Sequence, residues 1–172
     1  LSSLADVADD PRYAFVQGDI CDREAVAAAM AGHDAVVHFA AESHVDRSIV
    51  DPDTFVRTNC LGTNVMCDVA RHLEVDRFLH ISTDEVYGSI EEGSFVETDR
   101  LGPRSPYSSS KAGSDLIALS YEETYGLPVL VTRSSNNYGP FQFPEKVIPL
   151  FVTNLLDGRK VPLYGDGLNV RD

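Results

Sequence analysis

The sequence predicts a doubly wound α/β fold, a parallel sheet with helices on both of its faces. Three observations predict it. Short β-rich runs alternate with longer helical stretches, the pattern of parallel strands joined by right-handed crossovers. The central runs, AVVHFA at 35–40 and RFLHIS at 77–82, are almost continuously apolar, as in strands covered on both faces. Polar residues with chemical capability collect just after those runs, where ligands sit in open α/β sheets.

The elements follow in order. Residues 13–17 (YAFVQ) read as the first strand. Asp22 can cap a helix over 23–31, with Gly32 just past its end. Residues 35–40 form the second strand, and Pro52 opens a long helical stretch toward Leu73. Residues 77–82 are the third strand. A helix over 107–125 stops at Gly126 and Pro128. Residues 129–133 (VLVTR) are the fourth strand, 147–156 read as a helix, and 161–164 as a short strand. There are no internal repeats and no low-complexity tract.

A length of 172 residues fits about one domain. Hydrophobic residues make up 43% and charged residues 24%, which argues against wholesale disorder. No apolar run is long enough to span a bilayer, and no basic segment precedes an apolar core at the N-terminus. The chain opens with Leu1 rather than Met, as a piece of something longer would.

Residues 1–100 hold 7 basic and 20 acidic residues, and so carry the whole net charge of −13; residues 101–172 hold 7 of each. No stretch offers the basic surface that nucleic-acid binding needs. Most of the acidity reads as solvated surface. Cys21, Cys60 and Cys67 are an odd count without a CxxC, which fits neither a disulfide framework nor a zinc site. A reducing, cytoplasmic compartment fits them best. The five histidines lack metal-ligand spacing; His38 and His80 lie inside strands and read as packed or backbone-bonded. No metal is expected.

The strand ends carry the chemistry. The first ends in Gly18-Asp19-Ile20, where Asp19 can accept from an adenine amino group or simply shape a helix-capping turn. The second ends in Phe39-Ala40-Ala41-Glu42-Ser43, whose small residues allow either a close ligand or tight packing. The third ends in Thr83-Asp84-Glu85, a hydroxyl followed by two carboxylates. An acidic pair there can be a solvated turn; in one cleft it can also be tuned apart into an acid and a base. The next helix begins Tyr107-Ser108-Ser109-Ser110-Lys111. Tyr107 and Lys111 are i and i+4, so they share a face. An ammonium beside a phenol favours the phenolate, which brings a tyrosine toward service as a base. The fourth strand runs into Arg133-Ser134-Ser135-Asn136-Asn137-Tyr138-Gly139-Pro140, a turn that also offers amides to a ligand.

These motifs resemble the extended short-chain dehydrogenase/reductase superfamily, and within it the dTDP-glucose 4,6-dehydratases. The carriers are GDI (18–20), HFAAESHVDRS (38–48), TNCLGT (58–63), ISTDEVYG (81–88), SPYSSSK (105–111), RSSNNYGP (133–140), FPEKVIP (143–149) and VPLYGDGLNVRD (161–172). Nucleotide-sugar 4-epimerases and decarboxylases share YxxxK and NxYGP but usually lack the Asp-Glu pair. The resemblance implies transient C4 oxidation of a nucleotide-bound glucose by NAD, loss of water across C5–C6, and hydride return to C6. It implies that Tyr107 is the base at the 4-hydroxyl, helped by Thr83 and Lys111. Glu85 takes the C5 proton and Asp84 protonates the leaving 6-hydroxyl. Asp19, Ile20, Phe39, Ala40, Ala41, Glu42, Ser43, Thr58, Tyr107, Lys111 and Asn137 are implied at the cofactor. Ser43, Thr83, Asn136, Lys146, Val147, Pro162, Leu163, Tyr164 and Arg171 are implied at the sugar nucleotide. A homodimer of the full-length parent is implied as well. Both dTDP and UDP stay open as the nucleotide.

The chain departs from the family in one respect. The opening strand with its glycine-rich GxxGxxG turn has no counterpart here, nor does the acidic residue after the second family strand. The chain is therefore expected to be an internal fragment. Residues 1–140 would be an NAD-binding domain without its first two strands, and 141–172 the beginning of a sugar-nucleotide region. Alone, such a fragment is expected to be unstable and inactive. The other readings are a 4-epimerase or decarboxylase of the same superfamily, a non-catalytic NAD-binding regulator, and a structural remnant.

Overall fold

Three parallel strands organise the larger part of the computed structural model, which describes residues 2–163 and 165–168. They are β1 (Ala35–His38), β2 (Arg77–Thr83) and β3 (Val129–Ser134), in the order β1-β2-β3. The register aligns His38 with His80 and Thr83 with Ser134. The chain divides into two compact units: Phe15–Ser135, which holds the sheet, and the residues up to Ala14 together with those from Asn136 onward.

Alternation along the strands decides what is buried. Val36, His38, Phe78, His80 and Ser82 point into the core. Val37 and Leu130, aligned through Leu79, stay 54% and 51% exposed on the other face. The apolar runs lead one to expect helices over both faces. Within this unit, among the described residues, helices cover the face that buries Phe78 and His80.

The helices on that face start and stop for local reasons. α1 (Arg23–Met30) is capped by Asp22, whose side chain accepts from the Glu24 and Ala25 N–H groups. α2 (Val45–Val50) is a short helix that the sequence analysis had not separated from the loop. α3 (Pro52–Phe55) opens on Pro52 at its first turn, after Asp51 caps it. The single helix expected from Pro52 toward Leu73 is instead interrupted by a π-helical turn, Val56–Gly62, before α4 (Thr63–His72). α5 (Pro106–Tyr125) begins with a reciprocal Ser105–Ser108 capping box and ends where Gly126 turns left-handed at φ 72°. α4 and α5 pack together over the sheet, and Cys67, Ala70, Phe78, Ala118 and Leu127 form the centre of the core.

Two expected strands have no ladder among the described residues. Residues 13–17 make no ladder, and Phe15 and Val16 are each 62% exposed. An apolar run becomes a strand only beside a partner, and none lies alongside it among the described residues. In the smaller unit, α6 (Val147–Leu156) forms as expected, but 161–163 make no ladder. Tyr164 and Arg171 lie outside the described residues.

Candidate active site

The C-terminal end of β2 turns directly into the first cluster. Thr83 caps a single 3-10 turn, Asp84–Val86. Its Oγ1 accepts from the Glu85 N–H at 3.3 Å and donates to Asp84 Oδ1 at 3.1 Å. Val86, fully buried, pins the turn to the core, and both carboxylates remain partly exposed. The chain then reverses at Gly88, where φ is +92° and a β-carbon would collide with the Gly102 carbonyl oxygen.

The second cluster stands on the first turns of α5. Tyr107 is half-buried, with the Phe55 ring edge-on to its own at 6.4 Å. Lys111, one turn on, is buried and donates from Nζ to the Ile81 carbonyl at 2.8 Å. Burial lowers the Lys111 pKa, and the Asp115 carboxylate partly opposes that shift. This bond ties the helix to β2 two residues before Thr83. α5 also packs on the Asp84–Val86 turn. Thr83, Asp84, Glu85, Tyr107 and Lys111 therefore share one neighbourhood, although 24 positions separate Thr83 from Tyr107 in the sequence.

A third piece joins them through Asn59, which sequence reasoning missed. Asn59 is buried in the π-helical turn. Its Oδ1 accepts from the Glu42 N–H at 2.8 Å. Its Nδ2 donates to the Glu42 carbonyl at 3.0 Å and to Ser110 Oγ at 2.8 Å. Ser110 Oγ in turn donates to the Tyr107 carbonyl at 2.7 Å. One amide thus holds the segment after β1, Phe39 to Ser43, against the helix that carries Tyr107 and Lys111. Phe39, Ala40 and Ser43 are exposed, Ala41 and Glu42 half-exposed, and Thr58 lies half-buried beside Asn59. Nothing in the sequence singles Asn59 out, because polar residues such as Arg57, Thr58, Thr63 and Asn64 surround it in the same stretch. Burial pushes the Cys60 thiol up, although the nearby Lys111 opposes that shift.

Asp19 and Ile20 sit elsewhere, in a cleft of about 330 Å³ beside β1 whose walls include Val16, Val26, Val36 and Val37. None of the five residues clustered between β2 and α5 lines it. Asp19 accepts from the Cys21 N–H at 2.8 Å and pairs with Arg57 at 3.1 Å. The backbone bond first, and Arg57 after it, hold its carboxyl below the usual range. Asn136, Asn137, Lys146, Val147, Pro162 and Leu163 belong to the smaller unit, where the Gln142 side chain donates to the Asn137 carbonyl at 3.2 Å. Among the described residues, no group of three or more His, Cys, Asp or Glu is placed to hold a metal ion. No helix among them is long and apolar enough to cross a membrane.

A parallel sheet with a hydroxyl–carboxylate turn at one strand end and a Tyr-x-x-x-Lys pair on the next helix defines a Rossmann-type architecture. The chain belongs to the GDP-mannose 4,6 dehydratase family, whose profile matches residues 1–172. It is 66% identical over 169 residues to a dTDP-glucose 4,6-dehydratase of Streptomyces antibioticus, covering 98% of this chain and 50% of that protein. It is 60% identical to one from an Actinoplanes strain, covering 100% of this chain and 54% of the relative. A solved dTDP-glucose 4,6-dehydratase of Streptomyces venezuelae, a double mutant with NAD bound, superposes with a TM-score of 0.95 at 57% identity, over 98% of this chain and 52% of that one. The chain spans about half the length of the relatives it matches.

Proposed function

We propose that the protein dehydrates dTDP-glucose to the 4-keto-6-deoxy sugar nucleotide, using NAD. The observation that carries this reading is the packing of the Thr83-Asp84-Glu85 turn against the start of α5, with Lys111 anchored on Ile81 O. An epimerase needs one base at C4, whereas elimination across C5–C6 needs a base at one carbon and an acid at the other. The two adjacent carboxylates meet that need. The relatives named as dehydratases, at 66% and 60% identity, support the same reading.

The donor and acceptor set suits NAD. Asp19 has one carboxylate oxygen on Cys21 N and the other on Arg57, and a carboxylate has lone pairs enough to accept an adenine amino group besides. The exposed, small-residue segment Phe39 to Ser43 and the half-buried Thr58 offer close approach to the rest of the cofactor. Lys111, held on Ile81 O, keeps two further N–H groups that would hold the ribose of a bound NAD, and its cation one turn from Tyr107 would favour the phenolate. When bound, NAD supplies a hydride acceptor for C4 and a hydride donor for C6.

Tyr107 takes the proton of the 4-hydroxyl as C4 is oxidised, and Thr83 hydrogen-bonds that hydroxyl. The resulting ketone acidifies C5. Glu85 removes the C5 proton, Asp84 gives its proton to the 6-hydroxyl, and water leaves. The proton held by Glu85 returns to C5 as C6 receives the hydride that C4 lost, so the reaction is redox-neutral, and the proton taken by Tyr107 passes through solvent to restore Asp84. Ser43, Asn136, Asn137, Lys146, Val147, Pro162 and Leu163 complete the cofactor and sugar-nucleotide contacts in this reading, with the Lys146 cation on phosphate. We read residues 1–140 as the cofactor half and 141–172 as the start of the substrate region. Three unpaired cysteines support a reducing, cytoplasmic setting, and the family resemblance supports a homodimer.

The test uses the protein expressed from its complete reading frame and given dTDP-glucose and UDP-glucose separately. A 4-keto-6-deoxy product, detected by mass spectrometry, is expected from dTDP-glucose. Glu85→Gln is expected to accumulate the C4-oxidised sugar and to slow product formation by about 10²–10⁴-fold, the worth of general acid–base catalysis. Completed dehydration by Glu85→Gln would show that another group is the base.

A further inference from the structure

Arg133, at the end of β3, runs between two places that the catalytic scheme keeps separate. At one end its Nε donates to Asp115 Oδ2 at 2.9 Å. Asp115 lies on α5, one turn after Lys111, and is fully buried. His80 Nε2 stands 3.3 Å from its other oxygen, and also bonds Ser114 Oγ at 3.0 Å. Burial would raise the Asp115 pKa, but the polar neighbours His80, Ser82 and Arg133 outweigh it, so the pKa is lowered and the carboxylate is held in its charged form. At the other end, Arg133 Nη1 donates to the Tyr87 hydroxyl at 2.8 Å and to the Glu97 carbonyl at 3.3 Å. Its guanidinium also sits 5.1 Å from the centre of the Tyr87 ring, which stacks on Phe95 at 5.0 Å. Tyr87 follows directly on the Asp84–Val86 turn. The strap that contains Phe95 and Glu97 is closed at its base by the Gly102 N–H bond to the Val86 carbonyl at 2.9 Å.

We propose that Arg133, seated on Asp115, is a positioning residue for the elimination step: by clamping Tyr87 and the strap over 88–97 it fixes where Asp84 and Glu85 stand relative to Tyr107. The role rests on the dehydratase reading above. A planar guanidinium suits it, because one rigid fork reaches Asp115 with one nitrogen and Tyr87 with another. The hydrogen bonds of the clamp end on Asp115, Tyr87 and Glu97, and Asp115 in turn acts on the Lys111 charge. With a cation kept on Asp115, loss of the clamp is therefore expected to displace the carboxylates more than it disturbs C4 oxidation. Displacements of about 1 Å in such groups can cost about a hundredfold in rate.

Two variants of the complete protein test this, Arg133→Lys and Tyr87→Phe. Lysine keeps a cation on Asp115 but loses the fork. Phenylalanine keeps the ring stack and the buried pair, and loses only the hydroxyl. Quenched single-turnover reactions, read by mass spectrometry, give the rate of C4 oxidation and the rate of conversion to the 6-deoxy product; solvent deuterium entering C5 follows the proton transfer separately. The ratio of elimination to oxidation is expected to fall about tenfold in Arg133→Lys and about threefold in Tyr87→Phe, with the keto-glucose nucleotide accumulating. An unchanged ratio in Tyr87→Phe overturns the proposal, because a purely structural pair would slow both steps alike or neither. If the unsubstituted protein oxidises C4 and never yields a 6-deoxy product, the dehydratase reading fails and this role fails with it.

Discussion

His38 is neutral in the folded protein because the core gives its charge no partner. Burial first, then His80 and Lys111 nearby, lower its pKa from 6.5 to about 3. His80, whose ring centre lies 5.4 Å away, is lowered too, mainly by burial. The sign of the linkage follows. A depressed folded pKa leaves stability intact above pH 6.5, and stability is lost as pH falls from there toward 3, because only the unfolded chain takes up the proton. One such group costs about 1.4 kcal/mol for each pH unit below the unfolded value. Urea midpoints of the protein at pH 7, 6 and 5 are expected to fall steadily, and His38→Gln to flatten that fall. Parallel slopes for the two proteins would place the acid sensitivity elsewhere. At this scale the sequence was readable where chemistry is local. Tyr107 and Lys111 share a helix face by spacing, and Thr83-Asp84-Glu85 is contiguous. Asp115, Arg133 and Tyr87 were not readable, because their contacts join positions 18 and 46 residues apart with no repeating interval between them.

The π-helical turn is the element that periodicity could not show. Its seven residues, Val56–Gly62, carry the same apolar content as a regular helix, so the sequence read as one helix from Pro52 toward Leu73. Asn59 lies within this turn and points onto Glu42 and Ser110. Asn59→Leu keeps the branched side-chain shape and removes three hydrogen bonds at once, leaving the Glu42 N–H and C=O without this partner. Unsatisfied buried polar groups cost about 1–3 kcal/mol. The variant is expected to lower the urea midpoint by an amount in that range and to weaken NAD binding measured by calorimetry. Undiminished NAD affinity would mean that the Phe39 to Ser43 segment needs no tether. Some helix ends were legible: Asp22 marks the start of α1 and Gly126 the end of α5, whereas the Ser105 cap that opens α5 was not read. The strand expected at 13–17 was not, because a ladder depends on a neighbour that no local pattern encodes.

The sheet as a whole explains how the 172-residue chain is expected to behave when made alone. Its three strands leave β1 as an edge, and Val37 and Leu130 lie open on one face. The cleft of about 330 Å³ beside β1 exposes further apolar wall. In the smaller unit, α6 buries none of its 10 residues. Domains hold together by only about 5–15 kcal/mol, and each fully buried large apolar side chain contributes roughly 1.5–3 kcal/mol. A few uncovered side chains of this kind are therefore enough to cancel the margin. The isolated chain is expected to bind an apolar dye such as ANS, to melt over a broad range by circular dichroism, and to ignore added NAD. A ligand that binds the folded form at a hundred times its Kd adds about 2.7 kcal/mol, which any cooperative transition would register. A sharp melt that moves upward with NAD would show that the open face and the β1 edge cost the fold little, and that Asp19, Asn59 and Lys111 assemble a cofactor site without further support.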